Sequence, residues 1–451
     1  MKDSTHHLGT EQIGKLLFSL SLPSAIGMIV MASYNIVDAI FIGRGVGPLG
    51  LAAVVICFPL HLFTGALAIM AGVGGSSIIS RSLGAGDHEK AQIAFGTTIF
   101  LATTVGLTMA IIAGIFLSPL LELFGATPEI LPHAKAYLSV ILFGMPFHTF
   151  AMAGNHLARS EGRARIAMMT MLISAITNVI LDPIFIFGLG WGMRGAAIAT
   201  VISQLVMFTW ILGYYYTGRS SLHFTLASLR PRLAILREIV GIGLSEFTRM
   251  AAGSISIILI NSTLVRLGGN TSVAVYGVIN RSMSFFFMPL MGIAQGFQPI
   301  LGYNYGAGNI QRARQVIRLA IITATTFAFV GFLVTKLFPE AIFGFFSKDE
   351  NLIAEGARAM RLITIVYFLV GFQIIGSAMF QALGKAHAAF ILSLSRQVLL
   401  LLPMVLLLPR FFGISGVWMA FPVADSLSFF LTLYLFLREM RRLTSRIDES
   451  I

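Results

Sequence analysis

Four of the 19 acidic residues, Asp38, Asp182, Glu246 and Asp425, fall inside long apolar runs. A carboxylate in a bilayer interior costs about 2.5–3.5 kcal/mol on insertion scales, so each one marks an ion site or a buried pair. Tyr34 and Asp38 are four residues apart and share a helix face, and so do Asn178 and Asp182. Asp38 precedes the loop Gly43–Gly50, Asp182 precedes the loop around Gly188–Arg194, and Thr200 follows that second loop, each at a distance of about five or six residues. At a rise of about 1.5 Å per residue, the three reach a common depth. Pro183 follows Asp182 and weakens the local hydrogen-bond ladder, which frees a carbonyl. Two carboxylates, an amide, a phenol and a hydroxyl at one level suit a hard monovalent cation or a shared proton. Like charges disfavour double ionisation, so this pair has the makings of a protonation switch. No Arg or Lys lies inside the N-terminal spans to neutralise it. The competing reading is a polar network that only locks the lobe.

The other two acids have arginines nearby. Glu246 and Arg249 are three apart on one helix face, while Arg396 and Asp425 lie mid-span in the last two apolar runs. A buried structural pair between adjacent helices is the first reading of Arg396 with Asp425, and substrate contact the second. Asn280, Arg281, Gln295 and Gln298 add polarity to the same half and complete the candidates for a substrate cleft or a second-lobe network.

These residues need a membrane to sit in. Hydrophobic residues make up 56% of the 451-residue chain and charged ones 11%, against about 25% charge in an ordinary soluble domain. Twelve runs are long enough to span a bilayer, near 15–42, 51–79, 92–118, 134–158, 167–188, 195–217, 239–266, 272–300, 317–337, 357–382, 388–409 and 415–437. Their unbroken hydrophobicity predicts an all-α polytopic membrane protein, not a barrel of short alternating strands. The net charge of +12 raises nucleic-acid binding, but the basic residues are spread over alternate loops instead of forming one patch. That alternation is the positive-inside pattern and puts both termini in the cytoplasm. The basic charge therefore reports topology, and no nucleic-acid partner is expected.

Several chemistries have no sequence support. Cys57 is alone and cannot form an intramolecular disulfide. No G-x-x-x-x-G-K-[ST] loop, zinc-spaced histidine pair or G-x-S-x-G elbow occurs, so neither ATP as direct energy source, zinc nor an enzymatic nucleophile is expected. The polar start to Glu11 runs directly into a first span longer than a signal peptide's apolar core.

The second half repeats the first at an offset of 222 residues. Gly84-Ala85-Gly86 returns as Gly306-Ala307-Gly308, Gly47 and Ala52 as Gly269 and Ala274, and Gly154, Gly162 and Ala164 as Gly376, Gly384 and Ala386. Asp38 instead maps onto Ile260, and Asp182 onto Met404. Two six-helix lobes are expected, 1–217 and 239–451, joined by a cytoplasmic linker over 218–238 that carries Arg219, Arg230, Arg232 and Arg237. Six spans per lobe return the chain in the same orientation, which relates the bundles by a pseudo-twofold axis along the membrane normal.

Taken together, several segments resemble the multidrug and toxic compound extrusion (MATE) transporters over essentially the whole chain. They are Tyr34-Asn35-Ile36-Val37-Asp38 with Phe41-Ile42-Gly43-Arg44, Asn178 to Pro183, and Gly292-Ile293-Ala294-Gln295-Gly296-Phe297-Gln298-Pro299 running into Gly302-Tyr303-Asn304-Tyr305-Gly306-Ala307. The resemblance implies two six-helix bundles, alternating access, and drug efflux driven by inward H⁺ or Na⁺ flow. In one branch of that family the coupling site is in the N-terminal lobe, and Pro23, Tyr34, Asp38, Asn178, Asp182 and Thr200 match its pattern, Pro23 as the point where helix one bends. Another branch uses a Glu deep in helix seven. The corresponding stretch here, around Ser254 to Ser256, has none, and Glu246 lies a turn or two earlier.

The resulting expectation is a secondary antiporter of a prokaryotic plasma (inner) membrane. It exports cationic or amphipathic organic compounds in exchange for H⁺ or Na⁺, acts as a monomer among membrane lipids, and needs no organic cofactor and no metal besides Na⁺. Two alternatives remain at this point: a lipid-linked oligosaccharide flippase of the same superfamily, and an intramembrane enzyme.

Overall fold

The computed structural model describes residues 5–225 and 229–448; the extreme ends of the two expected lobes and linker positions 226–228 lie outside them. Among the described residues every regular element is helical. In hydrocarbon each backbone N–H and C=O needs a partner within its own segment, and a helix supplies one. The first six membrane helices are α1 (Ile13–Gly45), α2 (Pro48–Gly84), α3 (His88–Ile115), α4 (Leu131–Ser160), α5 (Ala164–Gly188) and α6 (Gly192–Tyr216). A 74-residue helical stretch, Leu233–Gly306, is interrupted at Gly269, where φ is 64°. Only glycine adopts that left-handed conformation without strain, so the stretch divides into α7 (233–268) and α8 (270–306). Then follow α9 (Ile310–Leu337), α10 (Glu350–Ile363 with Phe368–Ala382), α11 (Ala386–Phe412) and α12 (Ile414–Ser445). The two segments of α10 meet at a bend of 51°, a break within the run 357–382 that apolar length alone does not reveal. With the division at Gly269 and α10 counted as one span, the fold has the twelve spans anticipated.

The duplicated turns repeat in atomic detail. After α2, Asp87 N–H donates to the Ser82 carbonyl at 2.9 Å, and the Asp87 carboxylate accepts from Lys90 N–H at 2.9 Å. After α8, Asn309 N–H donates to the Asn304 carbonyl at 2.9 Å, and the Asn309 side chain accepts from Arg312 N–H at 3.1 Å. Gly86 and Gly308 carry these turns with φ of 74° and 71°. Each turn therefore ends one helix by a left-handed glycine and caps the next by a short polar side chain. Short helices at Leu117–Leu123 and Pro339–Phe346 likewise begin 222 residues apart.

The chain forms two compact units. Unit one is built around Ile26–Gly243, and unit two joins Leu8–Ala25 to Leu244 and everything after it. The first half of α1 thus clusters with unit two and the rest with unit one, and Pro23 stands two residues before the change. Unit one has an apolar core around Ile42, Cys57, Leu138, Ile141 and Ile186. Unit two has one around Ile260, Leu264, Val275, Phe343 and Val405. Val55, Ile115 and Ile258 are each 70% exposed, as suits lipid-facing positions.

Candidate ion-coupling site

The C-terminal part of α1 presents Tyr34 and Asp38 one turn apart, and α5 presents Asn178 and Asp182 with the same spacing. Pro183 follows immediately, and the helix continues as a wide π turn over Ile184–Gly188. Such turns are frequent at functional sites, because they shift the ladder and re-aim neighbouring side chains. Asp182 is fully buried and Asn178 nearly so. Asn178 Nδ2 donates to Asp182 Oδ1 at 3.3 Å.

Tyr34, Asp38, Asn178 and Asp182 come together. The carboxyl groups of Asp38 and Asp182 are within hydrogen-bonding reach of one another when one proton is shared between them. Tyr34 lies in the electrostatic field of both. Asp38 Oδ1, Asp182 Oδ2 and Asn178 Oδ1 are buried and have no hydrogen-bond partner among the described residues. Buried polar atoms are rarely left unsatisfied, since each costs about 1–3 kcal/mol. Neither carboxylate takes part in an ion pair among the described residues. The donor set is oxygen throughout, which fits H⁺ or Na⁺ and does not fit a soft metal.

Thr200 on α6 takes a less direct place than anticipated. Its hydroxyl donates back to the Ala196 carbonyl at 3.0 Å and also meets Tyr137 of α4. Tyr137 was not among the sequence candidates. It is buried, lies close to Asp38 and Tyr34, and its ring sits 6.4 Å from that of His61. Aromatic residues are common in apolar runs, and nothing in the spacing of α4 singles this one out. Beside the carboxylates lies a small cavity of about 20 Å³, enough for a water. Its lining includes Tyr34, Asn178, Thr200, Ser203, Gln204 and His148. Gln204 Oε1 and His148 Nδ1 are buried without hydrogen-bond partners among the described residues. These two were also missed, because a lone Gln or His in a span has no sequence signature of its own.

Unit two arranges its acids differently. Glu246 pairs with Arg249, whose Nε donates to Oε1 at 3.1 Å. Gln381 Nε2 reaches Ser245 Oγ at 3.0 Å and Glu246 Oε2 at 3.5 Å, and its Oε1 accepts from Gln298 at 2.6 Å. Asp425 accepts from Arg396 Nε at 2.6 Å and Nη2 at 3.5 Å, while Gln373 donates to the Asp425 carbonyl at 2.8 Å. Each of these carboxylates therefore has its own cation. Arg281 is exposed and has no carboxylate partner among the described residues, so it stands outside both pairs. Asn280 and Gln295 are half-buried on α8.

Comparison with known proteins places this geometry in context. The MatE family model matches residues 23–184 and again 247–407, once in each half. A protein from Staphylococcus haemolyticus named multidrug export protein MepA is 28% identical over 445 residues, covering 98% of both chains. A Shewanella oneidensis protein named FAD transporter is 28% identical over 440 residues, covering 95% of both. The solved structure of the MATE multidrug transporter DinF-BH in a ligand complex superposes with a TM-score of 0.87 at 45% identity, over 95% of this chain and 96% of that one. A crystal structure of a MATE protein in the bent conformation superposes with a TM-score of 0.92 at 29% identity, over 100% of this chain and 99% of that one.

Proposed function

The chain belongs to the MatE family, and from that premise we propose that it is a secondary antiporter exporting amphipathic organic cations in exchange for H⁺ or Na⁺. The observation that carries the reading is the Asp38–Asp182 couple: the carboxyl of half-buried Asp38 lies within hydrogen-bonding reach of that of fully buried Asp182, and among the described residues no cationic side chain pairs with either. Such a couple is costly when both groups are ionised and is relieved by one proton or one monovalent cation. It therefore binds and releases a coupling ion as its exposure changes.

The mechanism follows from which helices hold the two acids. Asp38 is on α1 and Asp182 on α5, so loading the couple removes a repulsion between these helices and lets them draw together. Pro23 has no N–H to donate to the Ser19 carbonyl, which makes α1 easiest to bend there. Tyr34, Asn178 and Thr200 line both the carboxylates' surroundings and the adjoining cavity. Ion loading therefore reshapes the space that substrate would occupy in unit one, and the two occupancies alternate. The driving force is an ion gradient, and no organic cofactor enters. The protein works as a monomer in the bacterial inner membrane, with both termini in the cytoplasm.

Relatives bear the names multidrug export protein and FAD transporter, and a structural relative named as a multidrug transporter is solved with a ligand. The substrate range of this chain is therefore a matter for its own residues. The reading is tested by ethidium accumulation in cells lacking other pumps. The wild type lowers accumulation, and Asp38→Asn leaves it at the level of the empty vector with equal protein in the membrane. Normal export by that variant would overturn the assignment.

A further inference from the structure

Two ion pairs of unit two, Glu246–Arg249 and Asp425–Arg396, share one arrangement, and each leaves one edge of its arginine unused. In each pair the acid is buried and the guanidinium is not: side-chain exposure is 10% for Glu246 against 32% for Arg249, and 7% for Asp425 against 32% for Arg396. Both arginines engage their acid through Nε and Nη2. Among the described residues no acceptor takes Nη1 of either one. A guanidinium has five N–H donors, so the Nη1 group of each keeps two donors without an acceptor among the described residues. An uncompensated positive edge does not face hydrocarbon at mid-span, and it marks a polar, accessible space.

The two arginines lie in one region of unit two. Arg249 lies within the electrostatic range of Arg396. One turn along α7 from Arg249, Gly253 packs against the side chain of Gln397, the residue after Arg396. Tyr276 of α8 and Tyr367, in the break of α10, both lie in the field of Arg396. The Tyr367 hydroxyl is buried and has no hydrogen-bond partner among the described residues. Two guanidinium edges and a free phenol in one neighbourhood are the donor set that recognises a planar or tetrahedral oxyanion by forked hydrogen bonds. Glu246 and Asp425, behind their arginines, hold those edges in place and leave them pointing away from the acids.

We propose that Arg249 and Arg396, with Tyr367, form a subsite for the anionic group, a carboxylate or a phosphate, of an amphipathic substrate. This deepens the reading of the chain as a drug exporter and rests on it: unit one handles the coupling ion, and unit two selects substrates that carry a negative group beside their apolar or cationic body. A brace between helices alone would need neither the exposed edges nor the partnerless phenol.

The test is equilibrium binding to the purified full-length protein in neutral detergent, read by fluorescence anisotropy. The probes are a cationic rhodamine ethyl ester and the free acid of the same dye. The variant is Arg249→Lys/Arg396→Lys, which keeps both buried pairs charged and removes the forked edges; Tyr367→Phe is the second variant. Loss of a hydrogen-bonded charge contact weakens the acid by about tenfold or more in the double lysine variant and leaves the ester unchanged. Equal weakening of both probes, or no change in either, overturns the subsite. If the added affinity for the acid is absent and phosphatidylglycerol binding responds to the variants instead, the edges serve lipid and the inference is also overturned. Because binding is read without transport, a wild type that prefers the acid but fails to export ethidium would sink the antiporter reading and leave the subsite standing.

Discussion

Where unit one carries Asp38, unit two carries Ile260, 1% exposed within its apolar core. Where unit one carries Asp182, unit two carries Met404, packed against that same core. Glu161, buried at the turn between α4 and α5, corresponds to Leu383. The turns meanwhile stayed alike, with Gly86 matching Gly308 and Gly162 matching Gly384 in both φ and hydrogen bonding. Duplication thus preserved what shapes the backbone at these turns and did not preserve the carboxylates Asp38, Asp182 and Glu161. Within its spans, unit one holds Asp38 and Asp182 with no cation paired to either among the described residues. Within its spans, unit two holds Glu246 and Asp425, each with an arginine. An unpaired buried acid is costly and persists for function, whereas a paired one can serve as structure or as a mount for its arginine.

The largest effect expected from this contrast is on export. Asp182→Asn in unit one abolishes ethidium export with unchanged membrane levels. Replacing both partners in unit two, by Arg396→Gln with Asp425→Asn, leaves export of the same cation within about twofold, because no lone charge is created. Efflux assays on the two variants side by side check this, and the opposite ranking would break the division of labour.

Stability should rank the other way. Arg396→Ala strands Asp425, 7% exposed, and costs about 3–5 kcal/mol, whereas Asp182→Asn removes a repulsive charge and costs little. Thermal melting of the detergent-purified proteins separates the two.

A smaller effect concerns pH. Glu161 lies outside the spans and accepts from Tyr214 Oη at 3.0 Å, from Ser220 Oγ at 2.8 Å and from Ser221 N–H at 2.7 Å. Burial pushes its carboxyl up to about 7, against those hydrogen bonds and the field of Arg163. A carboxyl raised by folding stabilises the fold while it is protonated. That contribution is full below the ordinary range near 4.5 and is lost as pH rises toward 7. Melting temperature should therefore fall between pH 5 and pH 8 in the wild type and fall less in Glu161→Gln. Leu383 at the matching turn has no such dependence to lose.

The smallest effects should be symmetrical. Nothing crowds the space a Cβ would occupy at Gly86 or Gly308, so Gly→Ala at either costs only the left-handed backbone, about 1–2 kcal/mol, and the same at both. Unequal melting shifts would show that the duplicated turns have diverged after all.

Much of this was legible in the sequence because membrane physics leaves strong marks. Apolar length identified twelve spans, and the offset of Gly84-Ala85-Gly86 from Gly306-Ala307-Gly308 paired the halves. Asp38, Asn178, Asp182 and Thr200 could be gathered by counting residues from loops, since helical rise converts sequence distance into depth. What stayed hidden depends on which way a side chain faces. Tyr137, His148 and Gln204 join the site from α4 and α6 only through rotation about those helix axes, which uniform hydrophobicity does not encode. The break in α10 and the π turn after Pro183 were hidden for a related reason: both are set by packing, within runs whose composition reads as continuous helix. The shared depth of Arg396 and Asp425 suggests their pairing, but the unused edge of Arg396 depends on side-chain orientation.

The most direct measurement is ethidium flux in proteoliposomes under an imposed ion gradient, with H⁺ and Na⁺ gradients applied separately. The wild type should move ethidium against its gradient when one of these ions flows the other way, and Asp38→Asn and Asp182→Asn should each bind the dye yet fail to couple. Coupled flux that survives both substitutions, or that disappears only when Asp425 is replaced together with Arg396, would place the coupling site in unit two and contradict the assignment.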